Sequence, residues 1–277
     1  MTSPAREPAA HTTPPLLPEE ARDIHTRLLR LALGVEESRA YWSNVDPTVP
    51  APARPVRAFE ERWFGAKSME RVRVLLANFV SRYDTHPAAL ATLRRWSGLP
   101  QGHPAAMDPA TRRLLCHWHL QLADPIYRAF TGTYLPERRL EVASGLDRDV
   151  VLRWVQRTFP ERWAAVTCVQ FASKLLSAAS EAGLVSAPPD PRKFLLPVIS
   201  DRALGYLLVL LRGLRVEGTL LDNAYLRSVG LRPGDGTLEP RLRALPGLSY
   251  RRMAELTDLE FTAGDLLGWA DLALGGP

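Results

Sequence analysis

Asp147-Arg-Asp-Val-Val-Leu-Arg-Trp-Val-Gln-Arg-Thr-Phe159, then Pro160, then Glu161-Arg-Trp-Ala-Ala-Val-Thr-Cys-Val-Gln-Phe-Ala-Ser-Lys-Leu-Leu-Ser-Ala-Ala-Ser-Glu-Ala182, is the run that decides the fold. The first segment opens on a capping Asp147 and spaces Val150, Val151, Trp154 and Val155 along one helical face, and Pro160 breaks it. In the second, Ala164, Cys168, Phe171, Leu175, Ala178 and Ala182 recur at three- and four-residue steps, which predicts one buried stripe. Gly183 is expected to end this helix as its C-cap. Leu184-Val-Ser186 and Lys193-Phe-Leu-Leu196 read as short strands around Ala187-Pro-Pro-Asp-Pro-Arg192, with Arg192 and Lys193 at or near the loop tip. Helix, helix and hairpin over residues 144–200 is the order of a winged helix-turn-helix, and that order suggests nucleic acid.

The stripe opposite the buried one carries Thr167, Gln170, Lys174 and Ser177, with Ser173 beside it. Short, hydrogen-bonding, nearly uncharged side chains suit a helix laid in a groove, where long acidic residues would meet phosphates. Arg153, Arg157 and Arg162 are then expected to position the phosphate backbone, and Arg192 and Lys193 to act from the wing. A blander reading fits the same pattern. Polar helix faces are commonly just solvated, and helix-helix-hairpin units occur in domains that bind nothing.

A more specific signal lies upstream, in Arg112-Arg-Leu-Leu-Cys-His-Trp-His-Leu-Gln-Leu-Ala-Asp-Pro-Ile-Tyr-Arg-Ala-Phe-Thr-Gly-Thr-Tyr-Leu135, continued by Arg153-Trp-Val155 and by the run from Trp163 to Val185. With Phe194-Leu-Leu-Pro197, Tyr206-Leu-Leu-Val-Leu-Leu211, Arg27-Leu-Leu-Arg-Leu31 and the helix over 71–82, this resembles the BrxA family of bacteriophage exclusion (BREX) defence systems over most of residues 20–230. These are hydrophobic framework motifs rather than catalytic signatures. The resemblance implies a small, mainly helical, non-enzymatic protein that binds double-stranded DNA as one component of an anti-phage operon, alongside other proteins of that system. No family motif fixes the DNA-contacting residues, so the candidates above rest on the residue pattern.

The 277 residues are 46% hydrophobic, enough for one substantial core or two smaller ones. A net charge of +5 favours polyanions but excludes a purely electrostatic, histone-like binder. Lysine stands only at 67, 174 and 193, an arginine bias that a GC-rich genome explains as readily as phosphate recognition. Cys116 and Cys168 lie far apart on apolar helical faces and are expected to be buried, reduced thiols. Cys116-His-Trp-His119 offers three metal donors, but residues one and three apart do not converge on a helix as an i, i+4 pair does, and no second cluster completes a tetrahedral shell. There is no phosphate loop, dinucleotide turn, nucleophile elbow or HExxH helix, and Asp147 and Asp149 read as capping acids rather than magnesium ligands. No catalysis, metal or cofactor is expected.

Residues 1–19 hold prolines at 4, 8, 14, 15 and 18, lack the apolar core of a secretory signal, and are expected to be a disordered tail. The most apolar run, 204–214, is too short to span a bilayer and reads as a core helix capped by Ser200 or Asp201; the protein is expected to be cytoplasmic and away from membranes. Helices are predicted from Pro18, over 36–43, 56–64, 68–83 and 87–96, and as two consecutive cap-then-Pro helices over 109–135. In the 68–83 helix Arg71, Asn78 and Arg82 are expected to face outwards. Beyond the loop at 232–240, residues 248–274 are predicted to add one or two helices, the last amphipathic with Leu266, Trp269 and Leu272 or Ala273 on one side. The fold class expected is all-α, a multi-helix bundle with a small β-hairpin wing. Its divisions are a helical domain over 20–140, a winged-helix-like domain over 141–231 and a helical extension over 232–277. The functional alternative is a protein-interaction adaptor that assembles a defence complex through that extension without touching DNA.

Overall fold

The computed structural model describes residues 17–141, 145–234, 236–253 and 256–275. Of the tail expected over 1–19, residues 1–16 lie outside the described residues, while Pro18 and Glu19 are placed against Arg215. In chain order the helices are α1 (Arg27–Arg30), α2 (Val35–Asn44), α3 (Arg54–Glu60), α4 (Met69–Phe79), α5 (Pro87–Ser97), α6 (Pro109–Ala123), α7 (Pro125–Ala129), α8 (Leu135–Arg138), α9 (Arg148–Thr158), α10 (Ala165–Glu181), α11 (Asp201–Arg212), α12 (Ala224–Ser228) and α13 (Leu238–Ala244). An antiparallel pair, β1 (Leu248–Met253) and β2 (Leu256–Phe261), precedes α14 (Leu266–Leu274). Val80–Asp84 and Phe130–Tyr134 are π-helical turns that extend α4 and α7. The molecule is thus mainly helical with one small two-stranded sheet.

Local chemistry explains the central helices. Asp108 Oδ1 accepts from the amides of Ala110 and Thr111, and Asp124 Oδ1 from that of Tyr127, so each Asp-Pro pair starts a helix and the chain bends between α6 and α7. Ser200 Oγ accepts from Ala203 and begins α11, whose Leu204, Tyr206, Leu207, Leu208 and Leu211 are buried. One contiguous buried cluster runs from Leu28 to Leu274 and crosses all three expected segments.

Three expectations fail. Residues 18–26 are irregular rather than helical, with Glu19 bridged to Arg215 and bends at Asp23 and Thr26. Arg215 N donates to the Pro18 carbonyl at 2.8 Å and Ala21 N to that of Leu122 at 2.8 Å, while the buried Glu20 carboxylate accepts from the Tyr225 hydroxyl at 2.6 Å and the Glu217 amide at 2.9 Å. Those partners are reached from irregular backbone, and tertiary pairing overrides the Pro-Glu-Glu helix signal. Asn78 and Arg82 are buried, not outward: the Arg82 guanidinium donates to the carbonyls of Leu31 (2.9 Å), Ala32 (2.7 Å) and Leu33 (2.8 Å). Residues 248–253 and 256–261, predicted helical, form the antiparallel pair β1–β2, in which Leu248 pairs with Phe261 and Tyr250 with Leu259 on one face. Tyr250 is buried beneath the Arg243 guanidinium, 5.5 Å from its ring centre.

Where short strands were expected at 184–186 and 193–196, the structure has single bridged pairs instead. Val185 bridges Phe194, Ser186 N donates to the Lys193 carbonyl at 2.8 Å, and Leu195 N donates to that of Leu184 at 2.9 Å. On the other side Leu146 bridges Arg192, whose amide donates to the Leu146 carbonyl at 2.7 Å. The segment 192–195 therefore lies between residue 146 and residues 184–186.

Candidate nucleic-acid interface

Asp147 Oδ1 accepts from Val150 N at 2.7 Å and starts α9, which buries Val151, Trp154 and Val155. The Trp154 ring stacks on Tyr134 at 5.2 Å and leans on Phe130 at 5.3 Å. With that face committed, Arg153 and Arg157, one turn apart, are exposed. An aromatic chain of Phe159, Trp163 and Phe171, with centroids 5.6 and 4.5 Å apart, locks the turn into α10. Arg162, exposed in that turn, lies over the Trp163 ring at 5.7 Å.

α10 buries Cys168, Phe171, Ala172, Leu175, Leu176, Ala178 and Ala179, as the periodicity predicts; Ala164 is instead exposed, because it precedes the first turn. The helix ends as expected at Gly183, with φ at 78°: Gly183 N donates to Ser180 O at 3.0 Å and Leu184 N to Ala179 O at 2.9 Å, the paired bonds of a Schellman motif. On the outward side Gln170 and Ser173 are exposed, while Thr167, Lys174 and Ser177 are half-buried. The sequence reading missed Val166, which is 64% exposed and lies one turn before Gln170 on the same stripe. That spacing was visible in the sequence, but the stripe was read from its polar residues alone.

Lys193 is exposed on the hairpin. Arg192 is not a wing-tip contact: its Nε donates to Asp190 at 3.0 Å and its guanidinium to the Leu176 carbonyl at 3.0 Å, leaving the side chain 12% exposed. It fastens the hairpin to the last turns of α10. Asp190 also accepts from the Arg148 amide at 3.3 Å, so the hairpin sits beside the start of α9 and the end of α10. Arg157 and Arg162 lie at the opposite end, and α10 separates them from Lys193 by about 25 Å at 1.5 Å per residue.

Most arginines elsewhere in the chain have carboxylate or carbonyl partners, including Arg54 with Asp84, Arg95 with Asp271, Arg112 with Glu36 and Arg241 with Asp201. Among the described residues, Arg148, Arg153, Arg157, Arg162, Lys174 and Lys193 make no ion pair.

The His pair of α6 is interior. His117 Nε2 lies 2.9 Å from Ser228 Oγ, which donates to the Tyr225 carbonyl, and His117 Nδ1 lies 2.9 Å from the Tyr127 hydroxyl. His119 Nδ1 faces the Arg82 carbonyl at 3.3 Å and Nε2 the Tyr206 hydroxyl at 2.7 Å. Burial pushes both imidazoles down to a pKa of about 3, so they are neutral structural groups. Burial likewise raises the Cys116 thiol to about 11. Among the described residues no three His, Cys, Asp or Glu side chains are grouped to hold a metal ion, and no helix is long and apolar enough to cross a membrane. In comparisons with known proteins, no family model, no curated protein and no solved structure matches the chain.

Proposed function

We propose that the chain binds duplex DNA without catalysing a reaction on it, as a cytoplasmic accessory component of a phage-defence system of the BREX type that its sequence resembles. The observation that carries this reading is the grouping of Arg148, Arg153, Arg157, Arg162, Lys174 and Lys193, none of them in an ion pair, along the borders of an uncharged helical stripe; other cations without an ion pair, such as Arg27, Arg62, Arg94 and Arg113, stand elsewhere in the chain. Unpaired cations at both ends of a polar helix match what a duplex presents, phosphates flanking a groove. The bridging order supports it too: residue 146, the 192–195 segment and residues 184–186 lie in the order that the first, third and second strands of a winged helix take. In this reading α10 enters the groove through Thr167, Gln170, Ser173, Lys174 and Ser177, and Lys193 alone acts from the wing.

Fluorescence anisotropy with a mixed-sequence duplex across a salt series tests it. Affinity should fall log-linearly with salt, and Lys174→Glu with Lys193→Glu should lower it at least tenfold and reduce the salt slope by about two, one per lost phosphate contact. Absence of binding at low salt defeats the reading.

The adaptor reading draws on a different observation, the exposed Leu267 and Leu272 of α14. Its test is Leu267→Ser with Leu272→Ser, which should abolish capture of partner proteins and leave DNA affinity unchanged. Trp269 cannot serve for this, because it is buried against Trp96 and Tyr206.

A further inference from the structure

Val166 is a large apolar side chain, 64% exposed, in the first turn of a 17-residue helix. The other exposed large apolar residues among those described, from Leu17 and Val56 to Leu267 and Leu272, lie outside α9 and α10. One turn on, Gln170 is exposed and its amide has no hydrogen-bond partner within the protein. The next outward positions are Ser173, whose hydroxyl donates to the Val169 carbonyl at 3.1 Å, and Ser177. Residues 166, 170, 173 and 177 fall on one helical face, and none of them is charged.

Resting on the DNA-binding reading, we propose that α10 selects adenine–thymine pairs, with Val166 packing on a thymine methyl and Gln170 reading an adenine edge one or two pairs away. The major-groove edge of thymine presents a C5 methyl, the one apolar group any base offers there, and a branched aliphatic side chain is its natural contact. A carboxamide matches the N7 acceptor and N6 donor of adenine in one bidentate pair. Guanine is read by Arg or Lys and the cytosine amino group by Asp or Glu. The centre of this stripe carries neither kind; Lys174 stands at its half-buried margin and is placed for phosphate. Four residues of helix rise about 6 Å, against about 3.4 Å per base step, so Val166 and Gln170 address adjacent or next-adjacent pairs rather than one. The cations at either end set the register from which the two side chains read.

The test uses the full chain and three duplexes of equal length at one salt concentration: one rich in A·T, one rich in G·C, and the A·T duplex with deoxyuridine in place of thymidine, which removes only the methyl. The native protein should prefer A·T over G·C by about tenfold or more, since a matched bidentate pair discriminates by that much. It should bind the uracil duplex about fourfold more weakly, the worth of one buried methyl. Val166→Ala should bind thymine and uracil duplexes alike, and Gln170→Ala should lose most of the A·T preference, both with an unchanged salt slope. Both positions are exposed, so folding is not at stake. Salt-dependent binding with no preference among the three duplexes, or a thymine-over-uracil preference that survives Val166→Ala, overturns this inference while leaving DNA binding intact. Failure to bind any duplex removes the DNA reading and this inference together.

Discussion

Arg82 shows how a single side chain can define a local structure that its charge seems to forbid. It lies three residues past Phe79, in the buried π-helical turn that extends α4, and its guanidinium closes three carbonyls just past the end of α1. Burial lowers its pKa. Arg82→Leu keeps the apolar stem and leaves the three carbonyls buried without partners, so it should cost about 3 kcal/mol or more by urea denaturation, whereas an exposed control such as Arg153→Leu should cost little. The histidines of α6 act through protons instead. His117 and His119 ionise only near a pKa of about 3 in the fold, against 6.5 for the free side chain. A depressed folded-state pKa means that the unfolded chain takes up protons the native one refuses. The stability these groups contribute is full above 6.5 and is lost as pH falls from there towards 3, with a limiting slope of about 1.4 kcal/mol per pH unit for each. Urea midpoints between pH 7 and 4 should trace that decline, and His117→Gln with His119→Gln should flatten it.

At the scale of elements, α9, α10 and α11 were legible because each carries its own stop or start within one turn: Asp147, Gly183 and Ser200. Gly183 makes this quantitative. A Cβ there meets no atom within 4 Å, so Gly183→Ala tests the left-handed backbone alone and should cost about 1 kcal/mol in thermal or urea melts. The elements that escaped sequence reading are those whose partners are distant. β1 and β2 alternate only through Leu248 and Tyr250 against Leu259 and Phe261, and that face is covered by Arg243 from α13 and Arg212 from α11. Glu20 and Tyr225 are 205 residues apart, so nothing near Pro18 announces an irregular segment. The candidate interface divides the same way. The outward stripe of α10 followed from helical period, and Arg153, Arg157 and Arg162 from their positions. Arg192 did not, because the Leu176 carbonyl that holds it lies on another element.

For the whole molecule, the question is whether the carboxyl-terminal region is an appendage or part of one core. Trp96 of α5, Tyr206 of α11 and Trp269 of α14 form a triangle of rings with centroids 5.6 to 6.1 Å apart. Around it the Thr92 hydroxyl donates to the Leu266 carbonyl at 3.2 Å and Arg95 pairs with Asp271 at 2.5 Å. A Cβ on Gly205 would come within 3.0 Å of the Trp269 indole nitrogen, so α11 presents glycine where the indole packs. A contact made this closely, from helices that begin at residues 87, 201 and 266, ties the last helix to two earlier parts of the chain. Trp269→Ala should therefore destabilise the entire fold by about 3 to 5 kcal/mol, the cost of an aromatic-sized cavity in a packed core. Far-UV circular dichroism and tryptophan fluorescence should then report one coincident urea transition at a lower midpoint. Two separate transitions, with the second at the native midpoint, would show α14 to be an appendage and return weight to its use as a docking element. In the DNA-binding reading, the variant below its midpoint should keep native affinity for duplex DNA, because Trp269 packs on Trp96 of α5 and on Tyr206 and Gly205 of α11 rather than on the candidate interface.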